Sequence, residues 1–158
     1  MTLSVELDLQ YASAADDDLP TKDDVRNWVT TALQGRHIEP VALTIRFVDE
    51  VESAELNEAY RKKTGPTNVL SFPYEGMALT PALLGDIIIC APVVMREAQA
   101  QQKAIKSHWC HMVIHGVLHL LGYDHINEQE ADEMETEEVE LMAALGYTNP
   151  YLPNYLSK

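Results

Sequence analysis

The sequence has no apolar run long enough to cross a bilayer; its longest apolar helical stretch, Val113 to Leu121, is interrupted by histidines. Its first residues, MTLSVELDLQ, lack the basic region and apolar stretch of a secretory signal. No membrane partner is therefore expected, and the cytoplasm is the expected compartment. Cysteine is scarce: Cys90 and Cys110 stand apart, neither in a CxxC pair nor with a second cysteine at ligand spacing. A disulfide is not implied, and the thiols read as structural rather than metal-binding. Basic charge is also short, with 11 Lys and Arg against 25 Asp and Glu and a formal net charge of −14. That balance argues against tight, extended nucleic-acid binding and leaves open a local site, because exposed charges are screened beyond about 8–10 Å at ordinary salt. The acid is concentrated in Asp16-Asp17-Asp18 and in Glu128–Glu140, a segment with no Lys or Arg. That segment reads as a solvated helix face, with a basic protein partner as the alternative. The densest basic cluster is Arg61-Lys62-Lys63.

What is present fits one domain over residues 1–158, long enough to bury a core, with no repeat or linker. Leu3, Val5, Leu7 and Leu9 alternate with polar residues, as do Val41, Leu43, Ile45 and Phe47, and each set predicts a strand buried on one face. Thr21 reads as the cap of a helix with an apolar stripe from Val25 to Leu33, stopped at Gly35. Ser53 reads as the start of a short helix carrying Leu56, Ala59 and Tyr60 inward, broken at Lys63–Thr67. Asn68–Phe72 predicts a short strand, residues 73–84 a loop, and Gly85–Cys90 a strand buried on both faces. Three helices follow: Pro92 to about Lys103, Ser107 to Leu121 closed by Gly122, and one capped by Asn127 and ended at Gly146. The tail YTNPYLPNYLSK reads as a surface segment. The expected fold is α+β: a single mixed sheet of about four strands packed with about five helices, with the late helices clustered.

Five of the six histidines lie between residues 108 and 125. His115 and His119 are four apart on a helix, about 40° apart in azimuth and one turn along the axis, so both imidazoles can reach one ion. Gly122 ends the helix and the chain turns back to offer His125. Three imidazoles leave a fourth tetrahedral position open, the catalytic rather than the structural pattern; nitrogen ligation suits one Zn²⁺, and Ni²⁺ or Cu²⁺ would also be accepted. A lone helical histidine is usually a surface or hydrogen-bonded residue, but this triplet is much rarer by chance. His111 lies about 12 Å along the axis from His119, too far to share an ion with it, and reads as a supporting or groove residue. His108 and His37 read as exposed. A zinc protease of HExxH type places a Glu after its first histidine; here that residue is Gly116, which disfavours peptide hydrolysis.

The run His115-Gly-Val-Leu-His-Leu-Leu-Gly-Tyr-Asp-His125 resembles the HGxLHLxGYDH signature of the YbeY family of rRNA maturation endonucleases. Tyr60-Arg-Lys-Lys-Thr-Gly-Pro-Thr-Asn-Val-Leu-Ser-Phe-Pro73 resembles a second family hallmark, and Gly85-Asp86-Ile87 a third, in family order. The resemblance implies an α+β fold with a zinc-bound triple-histidine site and a metal-dependent, single-strand-specific endoribonuclease. It implies work in small-subunit rRNA 3′-end maturation and ribosome quality control, and a functional role beside the metal for Arg61.

The expected chemistry is hydrolysis of an RNA phosphodiester by a zinc-activated water, with Arg61 stabilising charge on the phosphoryl oxygens and Lys62 and Lys63 as phosphate contacts. Thr67 and Ser71 either position a phosphate or make turn and ladder contacts. Asp124 either orients a ligand imidazole or forms the turn. Tyr74 and Trp109 could each stack a base, though Trp109 reads better as core. Single-stranded RNA is the expected partner, with the ribosome or its proteins, and DNA is not expected. Two other classes stay open: a zinc hydrolase of an amide or small phosphoester, and a ribosome assembly factor with mainly structural zinc.

Overall fold

The computed structural model describes residues 5–15, 18–34, 36, 40–74 and 82–151. Leu3, Asp16, Asp17, Gly35, His37, residues 75–81 and the tail from residue 152 lie outside the described residues. The expectations placed on them are therefore neither met nor overturned.

Strand β1 (Val5–Ala12) leads into helix α1 (Lys22–Leu33), which returns the chain to β2 (Val41–Val48). The crossover lets β1 and β2 pair in parallel, Val5 opposite Val41 through Ala12 opposite Val48. Thr21 caps α1, its side chain accepting the Asp24 amide at 3.1 Å. Helix α2 (Glu50–Leu56) runs into a π-helical turn, Asn57–Arg61, before β3 (Val69–Pro73) and β4 (Ala82–Cys90). Strand β4 pairs in parallel with β2 and antiparallel with β3, giving the order β1-β2-β4-β3. Helices α3 (Ala91–Ala100), α4 (Ile105–Leu120) and α5 (Glu128–Ala144) follow. Among the described residues the fold is α+β, five helices with one mixed four-stranded sheet, as expected.

The main core lies between one sheet face (Leu43, Ile45, Phe47, Ile87, Ile89) and helices α1 and α4; a smaller cluster of Val48, Leu70, Ile88 and Cys90 packs on the other face. Eleven of the sixteen residues of α4 are buried, which makes it a central helix rather than a one-sided surface helix. It comes so close to β4 that a Cβ on Gly116 would stand 2.7 Å from Ile87 Cγ2. At its end Gly122 takes φ +103° and turns the chain back, the left-handed conformation glycine adopts without steric cost.

Five local expectations are corrected. Residues 82–84 belong to β4 and not to the loop. Helix α4 begins at Ile105 with Ala104 at its cap, so Ser107 lies inside the first turn and does not cap it. Helix α2 begins at Glu50; Ser53 is buried within it and clasps the loop, donating to Thr67 O and accepting the Thr67 amide, both at 3.1 Å. The π-turn adds a residue to the helical repeat and rotates Asn57 inward, where it donates to Gly65 O at 2.8 Å, leaving Ala59 and Tyr60 exposed. Helix α3 ends at Ala100, short of Lys103.

Candidate metal centre

His115 and His119 project from successive turns of α4, and the turn at Gly122 delivers His125 to the same point. Ligating atoms of the three imidazoles all lie within 4.8 Å of one another. His115 Nε2 and His119 Nε2 are 3.1 Å apart, close to the ~3.4 Å between nitrogens bound at about 2.1 Å to a tetrahedral ion. Burial and the neighbouring imidazoles of His115 and His125 push His119 down to about 4, so it is neutral and keeps a lone pair at ordinary pH. The donor set therefore fits a borderline divalent cation such as zinc.

The loop bearing His125 is held at several points. Asp124 Oδ1 accepts the His125 amide at 2.7 Å, which makes Asp124 a turn former in this structure. Tyr123 donates its hydroxyl to Glu137 Oε1 at 2.9 Å, and Arg36 meets the same oxygen at 2.9 Å. The loop is thereby tied to α5.

The three histidines open onto a cleft of about 400 Å³ whose other wall is the segment from Thr67 to Phe72, with Arg61 at the end of the π-turn. The structure thus brings Arg61, His115, His119 and His125 to one cleft. Arg61 is exposed, as are Lys62 and Lys63, which do not line the cleft. Thr67 and Ser71 line it; the Ser71 hydroxyl donates to Gly116 O at 3.4 Å, a long contact with α4. Tyr74 is exposed at the end of β3, whereas Trp109 is core, packed edge-on against Phe47.

Of the other helical histidines, His108 is not where the sequence suggests, whereas His111 takes the supporting place expected of it. His108 is buried rather than exposed, because α4 runs beneath α3 and Glu97 meets its Nε2 at 2.9 Å. His111 is buried too, and its Nε2 meets Glu138 of α5. Burial holds His111 below the usual imidazole range, although the Glu138 hydrogen bond acts the other way. Glu138 is the residue that sequence reasoning missed. It is 1 % exposed, and its Oε1 takes His115 Nδ1 at 3.2 Å. The Tyr151 hydroxyl donates to Oε2 at 2.7 Å, so the tail through Pro150 and Tyr151 folds back onto α5. Burial disfavours the charged form of Glu138, but the hydrogen bonds from His111 and His115 outweigh it and hold the carboxyl at about 2. A signal was available: Glu138 falls in register with the buried Met134, Leu141 and Met142, on the inward stripe of α5.

The model of the family described as endoribonuclease YbeY matches residues 10–146, most of the chain. The chain belongs to the YbeY endoribonuclease family. Membership makes it an RNA-cleaving hydrolase of a family implied in rRNA processing. The solution structure of the Thermotoga maritima protein TM1509 is similar, with a TM-score of 0.57 and 22 % identity over 94 % of this chain and 99 % of that one. That likeness is one of fold. In this YbeY-family chain the arrangement also explains Gly116 physically. A Glu at that position, as a HExxH protease requires, would drive its Cβ into Ile87.

Proposed function

We propose that this chain is a metal-dependent, single-strand-specific endoribonuclease that acts in small-subunit rRNA 3′-end maturation and ribosome quality control. In this reading residues 1–158 form one catalytic domain, and His115, His119 and His125 hold one Zn²⁺. The observation that carries it is the convergence of three imidazoles, one of them kept neutral, in a cleft that Arg61 also lines.

The ion would supply Lewis acidity, activating water near neutral pH and polarising a phosphoryl oxygen. The rest falls to the chain. Arg61 presents a planar pair of donors to the non-bridging oxygens, where charge builds as the phosphodiester is cleaved. Thr67 and Ser71 lie on the wall along which the backbone of a single strand would run. Lys62 and Lys63 sit next in sequence to Arg61 and add long-range attraction for phosphate, offsetting locally a net charge of −14. Ribosomal RNA, presented by the ribosome or its proteins, is the partner that fits; DNA and membranes have no part in this reading, and the compartment is the cytoplasm. No helix among the described residues is long and apolar enough to cross a membrane.

The test is to incubate zinc-loaded protein with end-labelled single-stranded RNA, the same RNA annealed to its complement, and a peptide pool. Cleavage of the single strand alone, lost in His119→Ala, is expected. Cleavage undiminished in that variant, or turnover of the peptides instead, would overturn the reading.

A further inference from the structure

Glu138 is a fully buried carboxylate whose partners among the described residues are His111, His115 and Tyr151, none of them a permanent cation. Such a charge is costly to bury without a counter-charge. The far side of one partner, His115, is where such a counter-charge would be held, beside His119 and His125. An ionised carboxylate only accepts hydrogen bonds, so the 3.2 Å contact with His115 Nδ1 requires the proton to be on that nitrogen. His115 Nε2 is then left with its lone pair, and Nε2 is the atom that faces His119 at 3.1 Å. A cation shared by the imidazoles would lie one ring away from Glu138. The other carboxylate oxygen is held by His111 and Tyr151, which stops the group from rotating away.

We propose that Glu138 is the positioning residue of the metal centre: it fixes the His115 tautomer that offers Nε2 to the ion and balances the ion's charge from beneath. His111 and Tyr151 in turn fix Glu138. The inference rests on reading the three imidazoles as a metal centre. It places one of the eight carboxylates of Glu128–Glu140 in the site, while the others stay outside it.

Two readouts on the zinc-loaded full chain test it, neither of them activity. In nitrogen-15 spectra optimised for imidazoles, the wild type is expected to show a downfield, slowly exchanging His115 Nδ1 proton, which Glu138→Gln loses. In competition with a chromophoric chelator, Glu138→Gln is expected to give up zinc about 10–100-fold more readily than the wild type. His111→Gln, which leaves the Glu138–His115 contact in place, is expected to lower thermal stability but to hold zinc within a few-fold of wild type. Equal zinc retention in wild type and Glu138→Gln, with the proton signal unchanged, overturns the inference. So does a proportional loss of zinc and stability in both variants, which marks a merely structural network. If Glu138→Gln does not fold, the absence of a downfield His115 Nδ1 proton in the wild type overturns it alone. A wild type that retains no zinc defeats the metal reading itself, a separate outcome.

Discussion

Arg61 reaches the cleft from the end of a π-turn and is exposed. Its replacement tests chemistry with little interference from folding. Arg61→Ala is expected to cut single-strand cleavage by about 10²–10³-fold, the usual loss when one donor to a developing oxyanion goes. Stability should stay within about 0.5 kcal/mol, as for other exposed substitutions. Arg61→Lys keeps the charge but not the planar fork, and should recover only part of the rate. Single-turnover cleavage rates and thermal melts of the three proteins check this; equal rates would remove Arg61 from the mechanism. At this scale the sequence was legible where spacing alone carried the geometry. His115, His119 and His125 needed only a helical repeat and a glycine stop to be brought together. Glu138 was not, because its helix is so acidic that one inward carboxylate does not stand out from the seven others in the same segment.

Helix α4 shows how an element as a whole sets the site. Gly116 lies one residue after the first ligand histidine, with the Ile87 side chain where its Cβ would be. Gly116→Ala gains about 1 kcal/mol of helix propensity and meets an overpacking cost of about 1–3 kcal/mol. Ile87 is fully buried and β-branched, so it gives way poorly and the clash is expected to win. The variant should melt at lower temperature, and adding Ile87→Val should restore part of the loss; a stabilised Gly116→Ala would contradict the close approach of α4 to β4. The strands were legible because alternation in Val41–Phe47 and the apolar run through Ile87–Cys90 report burial directly. The faces of α4 and α2 were not. A helix buried all round hides its partners, so His108 and His111 gave no sign of Glu97 and Glu138, and the π-turn shifted Tyr60 outward by a register that periodicity cannot see.

Across the whole molecule the imbalance of charge limits how RNA is held. With 25 acidic and 11 basic residues, broad phosphate tracking is unfavourable; Arg61 lines the cleft, and Lys62 and Lys63 follow it in sequence without lining it. Three phosphate contacts on a single strand correspond to a slope of about −2 in log KM-derived affinity against log salt. Cleavage assays across a salt series are expected to give a slope no steeper than that; a slope several units steeper would contradict it and reveal an extended basic track. Selectivity would then come from the shape of the cleft and from the partner presenting the RNA, rather than from tight binding. The sheet order and the parallel crossover from β1 to β2 serve this end by fixing α4 against β4, with β3 as the facing wall.

The direct measurement is the metal content of the purified chain, by elemental mass spectrometry after extensive dialysis, beside His119→Ala and Arg61→Ala. One zinc per chain is predicted in the wild type and in Arg61→Ala, and almost none in His119→Ala. Zinc retained at full stoichiometry without His119, or never bound by the wild type, would contradict the account at its root.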